Sequence, residues 1–388
     1  MPHVYGLQPE QAVFQQKAAL LASGELRLHA ADVDASARFP KESVAALARE
    51  GFFGLCLPKE IGGAGQGPRV FAAVVEELAQ GCSSTAMIFV MHVAAAQAIV
   101  SSTTLARKDT VLRSMAAGKH LTTLAFSEKG SRSQFWAPVS TLVAGPGGFI
   151  TSAEKSWVTS ARHADSYVSS AQKPGAASPL ESTLYLIERT HPGIVVQGAF
   201  DGLGLRGNDS APVLIERVSV PKDDLITPLG EGVGAMLSVV LPWFCIGTAA
   251  MANGLSRAAT AATAGHLQHT GFAHTGTGLR DLPTLRARLA DMSVRTEQAR
   301  ALLGYTLGEM ERPSDATALF VLQTRLASIE AALDVTDLAM KACGGAAFSR
   351  HLPLERIFRD ARAGWVMAPT ADHLREFIGR AMTGLPLF

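Results

Sequence analysis

The stretch Lys155-Ser156-Trp157-Val158-Thr159-Ser160 decides how the chain is read. It follows the breaker-rich turn Gly145-Pro146-Gly147-Gly148 and lies in a run of short period-two segments, with long helical patterns on either side. On a strand, residues two apart share a face, so Trp157 and Thr159 are expected to point the same way. Together they would offer a broad ring edge and a hydroxyl donor to a planar cofactor, and flavin suits the rest of the sequence best.

Working outward, the period changes twice. From Pro9 to about Lys119 apolar residues recur at helical spacing. Ser43 stands before Val44, Leu47 and Ala48 as a cap, and Met87, Ile88, Val90, Met91 and Ala94 mark a mostly buried helix. From Leu121 to Asp224 the spacing predicts strands over Thr122–Ser127, Val139–Val143, Phe149–Ser152, Lys155–Thr159, Ser166–Ala171, Thr183–Glu188, Ile194–Ala199 and Val213–Val220. Short, closely spaced strands imply a small antiparallel barrel or sandwich. Helical spacing returns from Ala235, with a long helix starting at Pro313-Ser314-Asp315 and ending at Gly344-Gly345. Segregated blocks give an α+β chain of three units, a helical one over 1–120, a β one over 121–228 and a helical one over 229–388.

Composition narrows the function classes. The 388 residues are 47% hydrophobic and 18% charged, a globular balance. A formal net charge of +1 without a basic run argues against nucleic acid. The start lacks a basic, apolar leader, and no uninterrupted apolar run approaches the roughly 20 residues of a membrane span, so a cytoplasmic location without membrane contact is expected. Cys56, Cys82, Cys245 and Cys343 are scattered, reading as four separate thiols, and no metal site is expected.

Gly202-Leu203-Gly204-Leu205-Arg206-Gly207 matches a dinucleotide fingerprint, but a strand rather than a helix follows it. Without a helix N-terminus to receive pyrophosphate, the segment is a tight loop. Phe126-Ser127 through Ser133 is a strand running into a hydroxyl-rich loop, able to hydrogen-bond a flavin rim or a diphosphate, or to be an ordinary polar turn.

Several motifs in order then resemble one family along nearly the whole chain, the acyl-CoA dehydrogenases. They are Gly51–Gly65 followed by Glu76-Glu77-Leu78-Ala79, then Lys155–Ser160, Leu203–Ser210, Gly344-Gly345-Ala346-Ala347-Phe348, and Arg356–Arg362. The resemblance implies a helical N-domain, a small β-barrel and a C-terminal four-helix bundle. It also implies FAD held between barrel and bundle, an acyl-CoA thioester substrate, and a homodimer or homotetramer whose neighbouring subunit completes the site. Carried over by position, Phe126, Ser127 and Ser133 line the flavin and substrate carbonyl. Trp157 and Thr159 cover the isoalloxazine ring, and Gly344, Gly345 and Thr370 approach from the C-terminal side. His269 stands near the place of an arginine that reaches FAD across the subunit interface.

The departures carry as much as the matches. The resemblance places a catalytic Glu nine residues after Arg359, where this chain has Ala368. A second position used in one branch of the family falls in Leu241–Ile246, which has no carboxylate. A positioned base contributes about 10²–10⁴-fold to proton removal, and Ala368 cannot supply it. Asp372 is a candidate replacement, on the expectation that Pro369 opens a helix placing both on one face; helix-dipole charge is the plain account of it. His163 is another, with a surface histidine as its plain account, and Glu376 a third, read more simply as a solvated side chain. Phe89, Trp243, Phe244 and Met367, with Ala368 and Arg206, read as a dry substrate lining; core packing is the competing account.

A dry pocket suits reaction of reduced flavin with oxygen. Members of this fold without the Glu include flavin-dependent hydroxylases and oxygenases, so oxygenation of an acyl-CoA, including a cyclic one as in tropone-type biosynthesis, is expected. Desaturation with a relocated base and an electron-transfer partner is the alternative, and an inactive flavin-binding partner protein the third.

Overall fold

The computed structural model describes residues 4–387. Helices form first: α1 Pro9–Leu21, α2 Arg27–Ser36, α3 Lys41–Arg49, α4 Pro68–Gly81, α5 Ser83–Ser101 and α6 Lys108–Ala116. Ser43 is the third residue of α3 and buried, not its cap; Pro40, unable to extend a helix toward the N-terminus, holds that position.

The middle block folds into β1 Thr122–Ala125, β2 Val143–Gly145, β3 Gly148–Val158, β4 Ser166–Gln172, β5 Ser182–Glu188, β6 Ile194–Val196 and β7 Ala211–Pro221. They pair as a three-stranded sheet β1-β4-β5 and a four-stranded sheet β2-β3-β7-β6. The expectation of a wholly antiparallel unit fails at one pair, since β1 runs parallel to β4. The two strands expected over 149–159 are one, and the strand expected over 139–143 begins only at Val143. The Glu128 carboxylate takes the Val139 and Ser140 amides, at 2.7 and 2.8 Å, and Thr141 makes only an isolated parallel bridge to Gln172 at the end of β4.

The C-terminal block contains α7 Gly232–Ala235, α8 Leu241–His269, α9 Pro283–Glu311, α10 Thr317–Cys343, α11 Gly345–Phe348, α12 Leu354–Ala361, α13 Ala363–Val366 and α14 Ala371–Met382. Between α7 and α8 the chain takes a wide π turn over Met236–Val240, just before Pro242, which has no N–H to give to the helix ladder. The long helix starts at Thr317, later than Pro313, and ends at Gly344, whose φ of +53° is left-handed. One hydrophobic core runs through α4, α5, the start of α8 and the inner faces of both sheets.

Ser83–Ser101 and Gly232–His269 are long and apolar enough to cross a membrane by length and composition, which corrects the reading that no segment approaches that length. The first is a central core helix, 94% buried, and the second is half-buried within the bundle. All four cysteines are free thiols, and no metal-holding cluster occurs among the described residues.

Candidate active site

Lys155 anchors the stretch Lys155–Ser160. It is fully buried, and its Nζ meets Glu128 Oε1 at 2.6 Å and the Ser170 carbonyl at 2.7 Å. Burial would raise the Glu128 carboxyl, but the Lys155 charge and the Ser140 bonds bring it below its ordinary value. This buried pair fixes the Phe126–Ser140 loop against β3, helped by Ser156 N donating to Ser127 O at 2.8 Å.

Past Lys155 the strand bulges. The register against β7 shifts between Lys155 and Val158, and Trp157 takes a φ of +55°. Trp157 and Thr159 therefore do not share a face: the Trp157 ring is 67% exposed, edge-on to Phe200, while Thr159 is buried with its hydroxyl 3.1 Å from Ser210. An extra residue in one strand breaks the two-residue alternation.

The loop Gly202–Ser210 is sewn to the bulge by Ser160 N to Asn208 O, 2.8 Å, and Ala161 N to Asp209 O, 3.2 Å. It is also wedged between domains. A Cβ on Gly204 would lie 2.4 Å from the Arg359 carbonyl, and one on Gly207 2.2 Å from Val33, so no larger residue fits at either. The glycines serve a tight docking loop, with β7 following as read from the sequence. Arg206 clamps this loop: its donors go to the carbonyls of Asp34, 2.9 Å, and Gly202, 3.1 Å, which replaces its expected substrate role with a structural one. Asp360 accepts from Leu205 N at 2.6 Å and from Ser83, and Arg359 pairs with Asp34 at 2.6 Å. The Arg359-Asp360 motif thus ties all three blocks around the bulge.

The second wall is aromatic. Phe126 is buried with its ring stacked 6.4 Å from Phe135, and Trp136 packs on His373 and Phe377 of α14. The pair Phe135-Trp136, missed in the sequence, carried its signal as two large rings inside a polar loop. Ser127 and Ser133 are half-buried along the same loop. Thr370 caps α14 by accepting from His373 N.

The third wall brings α8, α10 and residues 367–370 together. Trp243 packs on Phe71 at 5.5 Å, and Phe71 on Phe89 at 5.8 Å. Phe89 itself is wholly enclosed by core side chains, so it backs this wall without facing a ligand. Phe244 lies under the Arg325 guanidinium at 4.7 Å, and Arg325 Nη2 donates to the Met367 carbonyl at 2.9 Å. Met367 and Ala368 are half-buried beside them.

None of the three base candidates joins this wall. Ala368 and Pro369 precede the cap of α14, so Asp372 shares no helix face with Ala368; its side chain is 98% exposed, 3.4 Å from Arg375. Glu376 is exposed and pairs with Arg380 at 3.4 Å. His163 stacks flat on Phe39, centroids 3.9 Å apart, at the exposed end of the bulge, and desolvation holds its pKa below the usual value. Its neighbour is the Arg162–Asp209 pair, not the 367–370 segment.

The remaining residues fit FAD. Side chains at Gly344 and Gly345 would meet nothing within 4 Å, leaving backbone open to a ligand at the end of α10. His269, at the exposed end of α8, lines a surface hollow of about 550 Å³ with Arg280 and Arg286, a basic setting for a diphosphate. Trp157, Thr159, Ser127, Ser133, Thr370 and the two glycines would hold the cofactor.

A barrel-like β unit clamped between two helical blocks, with an exposed ring on the bulge and no carboxylate at position 368 or over 241–246, is the frame of a flavin-dependent oxidoreductase. Three family models match in sequence: acyl-CoA dehydrogenase N-terminal domain over residues 8–119, middle domain over 123–218 and C-terminal domain over 230–383. The chain belongs to the acyl-CoA dehydrogenase family as a divergent member without the usual catalytic glutamate, and FAD is its cofactor. It is 29% identical to the mitochondrial short-chain specific acyl-CoA dehydrogenase of Bos taurus, over 90% of this chain and 84% of that one. With the acryloyl-CoA reductase (NADH) of Anaerotignum propionicum it shares 26% identity, over 97% and 95%. The solved butyryl-CoA dehydrogenase of Megasphaera elsdenii superposes with a TM-score of 0.92 at 22% identity, covering 97% of this chain and 99% of that one. A solved FAD complex of PigA gives 0.89 at 22% identity, covering 97% and 98%.

Proposed function

We propose that this protein oxidises an acyl-CoA thioester in an oxygenase-type reaction that consumes molecular oxygen and an external two-electron donor, in place of plain α,β-desaturation. The observation that carries this reading is Ala368 at the position of the family's base, with Asp372 and Glu376 exposed and His163 held on Phe39. Desaturation needs a group to accept the α-proton as hydride leaves the β-carbon, and a methyl group cannot do so.

FAD, when bound, supplies the two-electron chemistry of its isoalloxazine ring. The chain's own residues do the rest. Trp243, Phe244 and Met367 form an apolar wall that keeps water from the reacting centre. Thr159 and Ser210 supply buried hydroxyls at the bulge, and Trp157 a ring edge. The rings of the third wall favour a ring-bearing acyl group, whose faces would pack on Trp243 and Phe244. A second subunit would bring its own surface to the His269 hollow, making a homodimer the smallest complete unit.

The names of the relatives favour desaturation as a second reading, with an electron-transfer protein as acceptor. Mixing the FAD-loaded protein with a panel of acyl-CoAs without oxygen separates the two. Slow or absent bleaching by the thioester is expected. Once an external two-electron donor such as a reduced nicotinamide has reduced the flavin and air is admitted, thioester-dependent oxygen uptake is expected, one oxygen atom entering the thioester and the other leaving as water. Rapid bleaching with enoyl-CoA formation would overturn the oxygenase reading.

A further inference from the structure

Arg325, on α10, is the largest wholly buried side chain among the described residues. Its Nη2 donates to the Met367 carbonyl at 2.9 Å, and its guanidinium lies 4.7 Å from the centre of the Phe244 ring. Its side-chain neighbour on α8 is the Cys245 thiol, a weak acceptor, and no carboxylate pairs with it among the described residues. Replacing buried charges by apolar residues of similar volume is often neutral or stabilising. An arginine is therefore a costly way to fill this space. What it adds is direction, because its planar fork reaches two elements at once.

Those elements are the two halves of the third wall. Beyond α12 the chain runs back along α10 in three steps. Arg362 donates to Thr336 Oγ1 at 2.6 Å, a Cβ on Gly364 would lie 3.0 Å from Ile329, and Met367 meets Arg325, one helical turn before Ile329. The last step holds the residue that closes α13, directly before Ala368 and the Thr370 cap of α14. On the α8 side the same guanidinium rests on Phe244, the ring placed against the acyl group. One enclosed side chain thus spans both halves.

We propose that Arg325 is a positioning residue: it sets the spacing between Phe244 and the segment Met367–Thr370, and so shapes the wall that holds the thioester and FAD while touching neither. The inference deepens the thioester reading and rests on it for one of its two readouts.

Arg325→Met keeps the bulk and removes the donors, whereas Arg325→Lys keeps the charge and one reach to the carbonyl. Each FAD-loaded variant would be compared with the wild type by visible circular dichroism of the bound flavin and by flavin absorbance during titration with butyryl-CoA and benzoyl-CoA. Thermal melting of the apoprotein is the control for packing. Arg325→Met is expected to melt no lower than the wild type. It should nevertheless change the flavin dichroism and bind the thioesters at least about tenfold more weakly, the scale of one hydrogen bond to a charged group. Arg325→Lys should recover part of both signals. Unchanged dichroism and unchanged thioester affinity in Arg325→Met, whatever its melting temperature, would overturn the inference. So would a lowered melting temperature with losses that Arg325→Lys does not recover, since that is a packing role alone. If neither thioester perturbs the wild-type flavin, the thioester reading fails, and the dichroism still decides the role of Arg325. Should Arg325→Met not fold, Arg325→Lys decides by the same readouts: signals identical to the wild type would overturn the inference.

Discussion

The guanidinium of Arg325 donates to the main-chain carbonyl of Met367 at 2.9 Å, directly before Ala368. A buried cation therefore stands beside the residue whose side chain the chemistry lacks. Ala368→Glu would place a carboxylate within that wall and give Arg325 an opposite charge. The expected outcome is anaerobic flavin bleaching by an acyl-CoA at least about 10²-fold faster than in the wild type, the gain that a positioned base supplies. Stopped-flow absorbance checks it, and an unchanged rate would mean that position 368 does not face the α-carbon.

Asp372 makes the opposite case. At 98% exposure on the first turn of α14, its charge meets the helix dipole and, among the described residues, Arg375 at 3.4 Å. Asp372→Asn is expected to leave single-turnover rates unchanged and stability within about 0.5 kcal/mol, as for most surface substitutions. A drop in rate of more than tenfold would restore it as a base.

Trp157 links fold to cofactor without serving the fold. Its ring is 67% exposed and its main contact is the edge of Phe200. Trp157→Ala should barely move the melting of the apoprotein, yet weaken FAD retention by about 1–3 kcal/mol, the range of a lost stacking partner in related ring contacts. Equilibrium dialysis of the flavin measures it. Loss of apoprotein stability with unchanged FAD affinity would assign the ring to packing.

What the sequence made legible follows from what local patterns encode. Periodicity separates the helical blocks from the strands, and the strand after Gly202–Gly207 excludes a dinucleotide fold, because both depend on neighbours in sequence. The bulge at Trp157 does not show, since one inserted residue leaves the amino-acid types unchanged while reversing the faces. The parallel pairing of β1 with β4 is likewise a matter of partners distant in the chain. Arg325 did leave a trace. It lies three residues after Leu322 and four before Ile329, on the apolar stripe of α10, where a charge needs explanation.

Asp360 offers a test of how the three blocks are joined. It is fully buried, accepts from Ser83 and Leu205 N, and desolvation raises its pKa from 3.8 to about 6. Because the folded value exceeds the unfolded one, the folded state holds the proton more tightly, so this group lowers stability as pH rises from about 4 to about 6. Asp360→Asn can keep both hydrogen bonds, with its amide oxygen accepting from Leu205 and its NH₂ donating to Ser83. The variant should therefore gain on the wild type between pH 4 and pH 7, by up to about 3 kcal/mol, since each tenfold change in proton affinity is worth ~1.4 kcal/mol. Chemical denaturation at both pH values reads this difference, and carboxylates common to both proteins cancel from it. Parallel stability curves would show that the Asp360 carboxylate is ionised in the folded state across that range, with its two donors outweighing burial.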